Sequence, residues 1–246
     1  MKVDAIRLDL RPRGMFEAAD LGVRLVSAHR RSVWTSCGPV YAVVLALAAL
    51  ALPLGAGWAV LVLVWLKPWF DRSVLFVLAR ATFGEDTRFA DVWAHRRAVW
   101  WHGLAGALTV RRFSPWRSYV QPVLQLEGLR GKARRQRIAL ILGSHRGAAL
   151  AMQSAFASVE AFIALGGFLL ASWLVPGDEQ RPSVFDLLVS GGDAWTLAYL
   201  LACFAATVLV VEPFFVGAGF AMYLNRRVEL EAWDVEQALR HAFPAR

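Results

Sequence analysis

Four long stretches of apolar residues with few charges constrain this chain more than any other feature. They cover residues 37–53, 56–70 with an extension to 79, 148–175 and 195–224. About 18 mostly apolar residues are enough for a helix to cross the hydrocarbon core of a bilayer. Because that core offers no water to backbone groups, helix is the form such segments take there. The sequence therefore predicts an all-α integral membrane protein with four transmembrane helices.

The distribution of charge predicts how the chain is oriented. The net charge is +8; residues 1–35 hold seven Lys and Arg, and residues 71–146 hold fourteen against five Asp and Glu. Residues 176–194 hold one Arg against four acidic residues. Loops rich in Lys and Arg stay on the cytoplasmic side during insertion. We therefore expect both termini and residues 71–146 inside, with the turn at 53–57 and the acidic loop outside.

The whole chain is predicted to be one membrane domain over residues 1–246. A short apolar segment, residues 98–110, is too short to span and is predicted to be either interfacial or re-entrant. The predicted parts are an amphipathic interfacial helix (15–31), a first hairpin (37–80), a cytoplasmic and interfacial segment (84–143), a second hairpin (147–224) and an amphipathic cytoplasmic tail (225–246).

The interfacial helix is predicted from the spacing of its polar residues. They recur at intervals of three and four, which places them on one helical stripe and the apolar residues largely off it. Such a helix lies in the membrane interface with its apolar side in the acyl boundary. The polar stripe consists of Glu17, Asp20, Arg24, Ser27 and Arg31.

The two hairpins resemble each other late in their second helices. Residues 66–70 (Leu-Lys-Pro-Trp-Phe) and 211–215 (Val-Glu-Pro-Phe-Phe) each combine a charge, a proline and two aromatic residues. Since both hairpins enter from the same side, a duplication would be a parallel repeat; a chance match of short segments is the alternative. Pro68 and Pro213 each remove a backbone donor, which frees a carbonyl one turn back and favours a kink.

Three ionisable residues lie inside the apolar stretches: Lys67, Glu160 and Glu212. A charge at mid-bilayer costs about 2.5–3.5 kcal/mol, so such residues are usually paired or functional. Each lies about a dozen residues from the inner end of its helix, so the constant helical rise predicts that they meet at one level. One interpretation is a proton or substrate site. The other is a structural ion pair that sets helix register, with Lys67 reaching toward water.

A run of basic residues precedes the second hairpin. One interpretation is contact with anionic lipid of the inner leaflet, and the other is docking of an acidic cytosolic partner. Nucleic-acid binding is not expected, because these residues sit beside a membrane and no nucleic-acid motif occurs. The run consists of Arg130, Lys132, Arg134, Arg135 and Arg137.

The sequence shows no signature of catalysis, metal binding or cofactor binding. The five histidines lack the HExxH spacing, and there is no GxSxG motif, P-loop or paired CxxC. A membrane-embedded hydrolase would need a nucleophile and base that are not evident. Two pairs of glycines, Gly166 with Gly167 and Gly217 with Gly219, are expected to permit close helix packing rather than phosphate binding. We therefore expect a non-enzymatic protein without cofactor or metal.

Several segments together resemble a group of poorly characterised bacterial inner-membrane proteins. This group tends to be encoded beside a MoxR-type AAA ATPase, von Willebrand-factor-A proteins and transglutaminase-like membrane proteins. The resemblance implies a multi-pass protein of the bacterial cytoplasmic membrane, belonging to a membrane-associated assembly. It implies no catalytic residue. The segments are residues 13–22, 67–71, 126–131, 223–227 and 231–237.

These observations favour a scaffold or docking subunit for a cytosolic ATPase or another membrane subunit. The alternative is a small transporter or lipid-handling protein that uses Lys67, Glu160 and Glu212. Four helices hardly enclose a pathway, so the alternative requires a homo-oligomer.

Overall fold

The computed structural model describes residues 12–101, 103–109, 112, 114–174 and 194–231, and these residues form helices and turns without a strand. The all-helical fold predicted from the sequence is therefore confirmed. The helices are α1 (Met15–Ala28), α2 (Arg30–Ala49), α3 (Ala56–Ala81), α4 (Phe89–Ala94), α5 (Leu104–Leu108), α6 (Arg117–Gln125), α7 (Gly131–Leu142), α8 (Arg146–Leu174) and α9 (Ala194–Glu231). Short helical turns lie at Leu52–Leu54, Arg97–Trp101 and Gly143–His145.

Three helical stretches among the described residues are long and apolar enough to cross a membrane. They are Arg30–Leu54, Gly131–Leu170 and Ala194–Glu231, and they make the chain a membrane protein by length and composition. The helix α3 is not among them. Every window of 18 residues within α3 contains three charged residues, Lys67, Asp71 and Arg72.

The ends of α1 and α2 differ from the predicted ones. The interfacial helix expected over 15–31 ends at Ala28, and His29 leaves the helical conformation with φ −105° and ψ 22°. The next helix already begins at Arg30 and runs through residue 37 to Ala49. This helix therefore starts before the apolar stretch does, since polar residues at a helix end still satisfy their backbone groups within the helix.

A tight turn joins α2 and α3, where the sequence predicts the first hairpin to reverse. Residues Leu52–Leu54 form one helical turn, and Gly55 follows with φ 116° and ψ 154°. Only glycine adopts that backbone conformation without strain. The two helices then pack together, and the rings of Tyr41 and Phe70 lie 4.9 Å apart.

The last helix, α9, is the centre of the fold. Its 38 residues correspond to a length of about 57 Å, well beyond the thickness of a hydrocarbon core. It packs against α1, α3, α6 and α8. It continues past residue 224 to Glu231, so the predicted tail 225–246 begins inside this helix. Residues 232–246 of that tail, and 175–193 of the acidic loop, lie outside the described residues.

The helix α1 uses its apolar face differently from the prediction. The predicted polar stripe is exposed throughout. Part of the opposite side packs on α9, where a Cβ added to Gly22 would lie 2.1 Å from the carbonyl oxygen of Gly217, whereas Phe16 is exposed. Such close backbone contact requires glycine on both helices. An amphipathic period is the same whether the apolar side meets lipid or protein, which is why the sequence did not distinguish them.

The segment between α3 and α8 covers parts of α3 and α9. Within residues 98–110, Val99 is 2% exposed and Leu104 is 7% exposed. Trp100 Nε1 donates a hydrogen bond of 2.9 Å to Ser73 Oγ on α3. A Cβ added to Gly219 would lie 2.3 Å from Ser118 Oγ of α6. The predicted close helix packing is confirmed at Gly217 and Gly219, whereas a Cβ added to Gly166 would meet nothing within 4 Å.

Candidate functional site: a buried ion network

The three ionisable residues found in the apolar stretches meet in the interior. Lys67 Nζ lies 2.8 Å from both Glu160 carboxyl oxygens and 2.6 Å from Glu212 Oε2. Lys67 is 5% exposed and Glu212 is 1% exposed. The lysine therefore joins α3 to α8 and α9 at one level of the bundle.

Two further residues extend this group, which we call the ion network: Lys67, Glu160, Glu212, Asp71 and Arg117. Arg117 Nη2 lies 2.7 Å from Glu212 Oε1 and 3.6 Å from Asp71 Oδ2. The network thus spans four helices, since Arg117 is the first residue of α6.

The charges of the network nearly balance. Two cations, Lys67 and Arg117, face the three carboxyl groups of Asp71, Glu160 and Glu212. Buried ions are tolerated when they are paired in this way, and removing one partner typically costs about 3–5 kcal/mol.

The sequence analysis missed Asp71 and Arg117. Asp71 carried a usable signal, because it follows Lys67 by four residues and therefore lies on the same helix face. It was instead counted with the cytoplasmic loop. Arg117 carried no such signal, since only the packing of α6 against α9 brings it to Glu212. Burial lowers the pKa of Arg117, but the carboxylates of Asp71, Glu212 and Glu160 outweigh burial and hold this pKa above its usual value.

The proline beside Lys67 has the backbone effect that the sequence predicts. Pro68 has no N–H, so the carbonyl of Val64 one turn earlier lacks its helical donor. The Arg112 guanidinium donates a hydrogen bond to this carbonyl through Nη2. Burial, and next the neighbouring charge of Arg117, lower the pKa of Arg112. A cation from the inner segment is thus tied to α3 one turn before the network.

A second polar group ties the C-terminal end of α9 to the loop between α6 and α7 and to α7 itself. Tyr223 Oη donates a 2.6 Å hydrogen bond to Glu127 Oε1. Arg137 Nε lies 2.9 Å from Glu127 Oε2, and the same guanidinium pairs with Glu231. Arg227 Nη2 lies 2.6 Å from Glu231 Oε2. These contacts hold the loop between α6 and α7 against α9.

The predicted basic run is therefore not uniform. Arg137 is occupied by ion pairs within the protein. Arg130, Lys132 and Arg135 are exposed, and Arg134 is half-buried. The surface available to lipid or to a partner therefore excludes Arg137.

Neither metal chemistry nor a known relative adds to this site. Among the described residues, no group of three His, Cys, Asp or Glu side chains is arranged to hold a metal ion. Comparison of the chain with protein-family models, with curated proteins and with solved structures finds no match. The positions of the charged side chains are therefore what indicates the chemistry of this site.

Proposed function

We propose that this chain is a non-enzymatic scaffold or docking subunit of the bacterial cytoplasmic membrane. It has four transmembrane helices, α2, α3, α8 and α9, arranged as two hairpins that enter from the cytoplasmic side. Both termini lie inside, in keeping with the concentration of basic charge in residues 1–35 and 71–146.

The fourth span in this proposal is α3, and the ion network supports its place in the membrane. Its 26 residues give a length of about 39 Å, enough for a hydrocarbon core. Lys67 and Asp71 are paired in the network, and Arg72 Nε donates to the Val99 carbonyl. Charged residues inside membranes are found paired and facing the bundle interior in this way.

The observation that carries the scaffold role is that Lys67 and Glu212 are satisfied from within the protein. Lys67 is held by two carboxylates and Glu212 by two cations, so these groups fix four helices relative to one another. A site that binds and releases a substrate has charged or polar side chains that are free to pair with the substrate. A rigid frame is what a docking subunit requires, because it presents a fixed surface to its partner.

The exposed basic residues Arg130 and Lys132 at the start of α7 provide the proposed docking surface. An acidic cytosolic protein is the partner that fits, and the resemblance in sequence suggests an ATPase. Anionic lipid of the inner leaflet is the other surface with suitable charge.

Crosslinking and affinity purification from native membranes test the docking role. The variant R130Q/K132Q is compared with R24Q/R31Q, which removes two exposed charges from α1 and α2. We expect R130Q/K132Q to lose a stoichiometric partner while its amount in the membrane is unchanged, and R24Q/R31Q to retain it. Identical partners for both variants and the wild type would contradict the docking surface.

A second candidate is a small oligomeric transporter or lipid-handling protein acting through Lys67, Glu160 and Glu212. It is favoured by the position of Glu160, whose side chain keeps 17% exposure while that of Glu212 has 1%. In that case E160Q removes transport without lowering the protein level. If E160Q only lowers stability, Glu160 has a structural role in the ion network.

A further inference from the structure

A cavity of about 330 Å³ lies beside the ion network, between α3, α6 and α7. Its volume is within the range of small-molecule sites, about 300–1,000 Å³. Its lining contains Asp71 and Arg117 of the network, but not Lys67, Glu160 or Glu212. It is therefore a separate space that shares one edge with the network.

The charged groups around this cavity favour an anion. Four arginines line it, Arg72, Arg117, Arg134 and Arg135, against the single carboxyl group of Asp71. Arg72 is 5% exposed, whereas Arg134 is half-buried and Arg135 is exposed. The basic side chains thus extend from the buried end of the cavity to its opening. Guanidinium groups bind phosphate through paired, charge-assisted hydrogen bonds.

The rest of the lining is apolar. Side chains of α6 and α7 contribute most of it, including Val120, Leu124, Ile138 and Leu142, with Trp116 beside them. A small hydrophilic anion makes no favourable contact with these apolar side chains. A ligand with both a phosphate group and a hydrocarbon part matches the whole lining.

Polar atoms at the cavity lack partners. Gln121 Nε2, Arg117 Nε, Gln125 Oε1 and Asp71 Oδ1 are buried and have no hydrogen-bond partner among the described residues. All four residues line the cavity. Buried polar groups in folded proteins nearly always have partners, including ligands. Two of these atoms are donors and two are acceptors, so the ligand they suit has phosphate oxygens and a hydroxyl group.

We propose that the cavity between α3, α6 and α7 binds the headgroup of an anionic, phosphate-bearing amphiphile. Its phosphate lies between Arg117 and the pair Arg134 and Arg135, and its apolar part lies along α6 and α7. This site goes beyond the docking role and does not rest on it, because Arg130 and Lys132 do not line the cavity.

The test is a titration of the purified full chain with dioctanoyl phosphatidylglycerol in a neutral detergent. The variant R134Q/R135Q is compared with R24Q/R31Q, which removes the same charge from exposed positions outside the cavity. We expect R134Q/R135Q to weaken binding about tenfold or more, since charge-assisted hydrogen bonds are lost. The control is expected to bind within about twofold of the wild type, because exposed charges are screened. Equal weakening of both variants would mean attraction to a basic surface and would overturn the site.

Two further measurements distinguish binding of a lipid from binding of inorganic phosphate. Q121L keeps every charge and removes one buried donor, and we expect it to weaken binding while leaving the unfolding temperature close to that of the wild type. Inorganic phosphate, titrated in competition, is expected to displace the lipid only at far higher concentration. Equal affinity for phosphate and lipid, or no lipid binding by the wild type, would overturn the amphiphile proposal.

Discussion

Lys67 Nζ and Glu212 Oε2 lie 2.6 Å apart in the interior of the helical bundle, although the two residues belong to opposite ends of the chain. Each is followed by a proline, and each has a second ionic partner: Glu160 for the lysine and Arg117 for the glutamate. This contact joins the first hairpin to the central helix α9.

Removing the lysine should be costly because it leaves the buried Glu212 and the half-buried Glu160 without their shared cation. We expect K67M to lower the free energy of unfolding by about 3–5 kcal/mol. The exposed K132M should change it by less than about 0.5 kcal/mol. Reversible unfolding in detergent micelles provides the measurement.

A double-mutant cycle distinguishes an ion pair from simple packing at this position. K67M/E160Q should be less destabilised than the sum of its two single variants, since the second change removes a charge already left unpaired. Strict additivity of the two changes would show that Lys67 and Glu160 are not energetically coupled.

The crossing of α1 and α9 depends on the absence of a side chain at Gly22. G22A places a methyl group 2.1 Å from the carbonyl oxygen of Gly217, so the helix backbones must separate. We expect a loss of about 1–3 kcal/mol. The control is G38A in α2, where an added Cβ meets nothing within 4 Å, and where alanine favours the helix by about 1 kcal/mol. Equal effects of the two substitutions would argue against this crossing.

The hydrogen bond from Arg112 to the Val64 carbonyl should matter only while Pro68 is present. P68A restores a backbone donor to that carbonyl, so the arginine is no longer needed there. We expect R112Q to cost about 1–3 kcal/mol in the wild type and less than half of that in the P68A background. The unfolding free energies of the four proteins give the coupling directly. If R112Q lowers the free energy of unfolding equally in the wild type and in P68A, the role of Arg112 does not depend on Pro68.

The placement of α3 as a membrane span can be checked by chemical labelling. In a background with Cys37 and Cys203 changed to alanine, L54C on the turn before α3 should react with an impermeant maleimide in intact cells. E85C, just beyond the other end of α3, should react only after the membrane is opened, because α3 carries the chain to the cytoplasmic side. Labelling of both positions in intact cells would exclude this topology.

Sequence reasoning reached the core of the ion network. Helical rise per residue is constant, so counting from the inner ends of three helices placed Lys67, Glu160 and Glu212 at one level. The same reasoning found the glycines of α9, because small residues at a membrane helix interface imply close packing. Both predictions rest on local geometry that a helix keeps in any fold.

Sequence reasoning did not reach contacts that depend on which elements pack together. The exposed polar stripe of α1 was predicted, but its apolar side covers α9 at Gly22 and Gly217. Arg137 was grouped with the exposed basic run, yet it pairs with Glu127 and Glu231. A periodic pattern in the sequence shows that one face of a helix is apolar or carries a charge. It does not show which residues pack against that face or pair with that charge.

The amino-acid sequence by itself determined that this chain is helical and membrane-embedded, because apolar length and the need for internal backbone hydrogen bonds leave no other form. It also determined which charges lie inside the apolar stretches. The tertiary structure alone decided that Arg117 closes the ion network and that four arginines surround one cavity. Those positions follow from the packing of α6 and α7 against α3 and α9, and the residues that create this packing are far apart in the sequence.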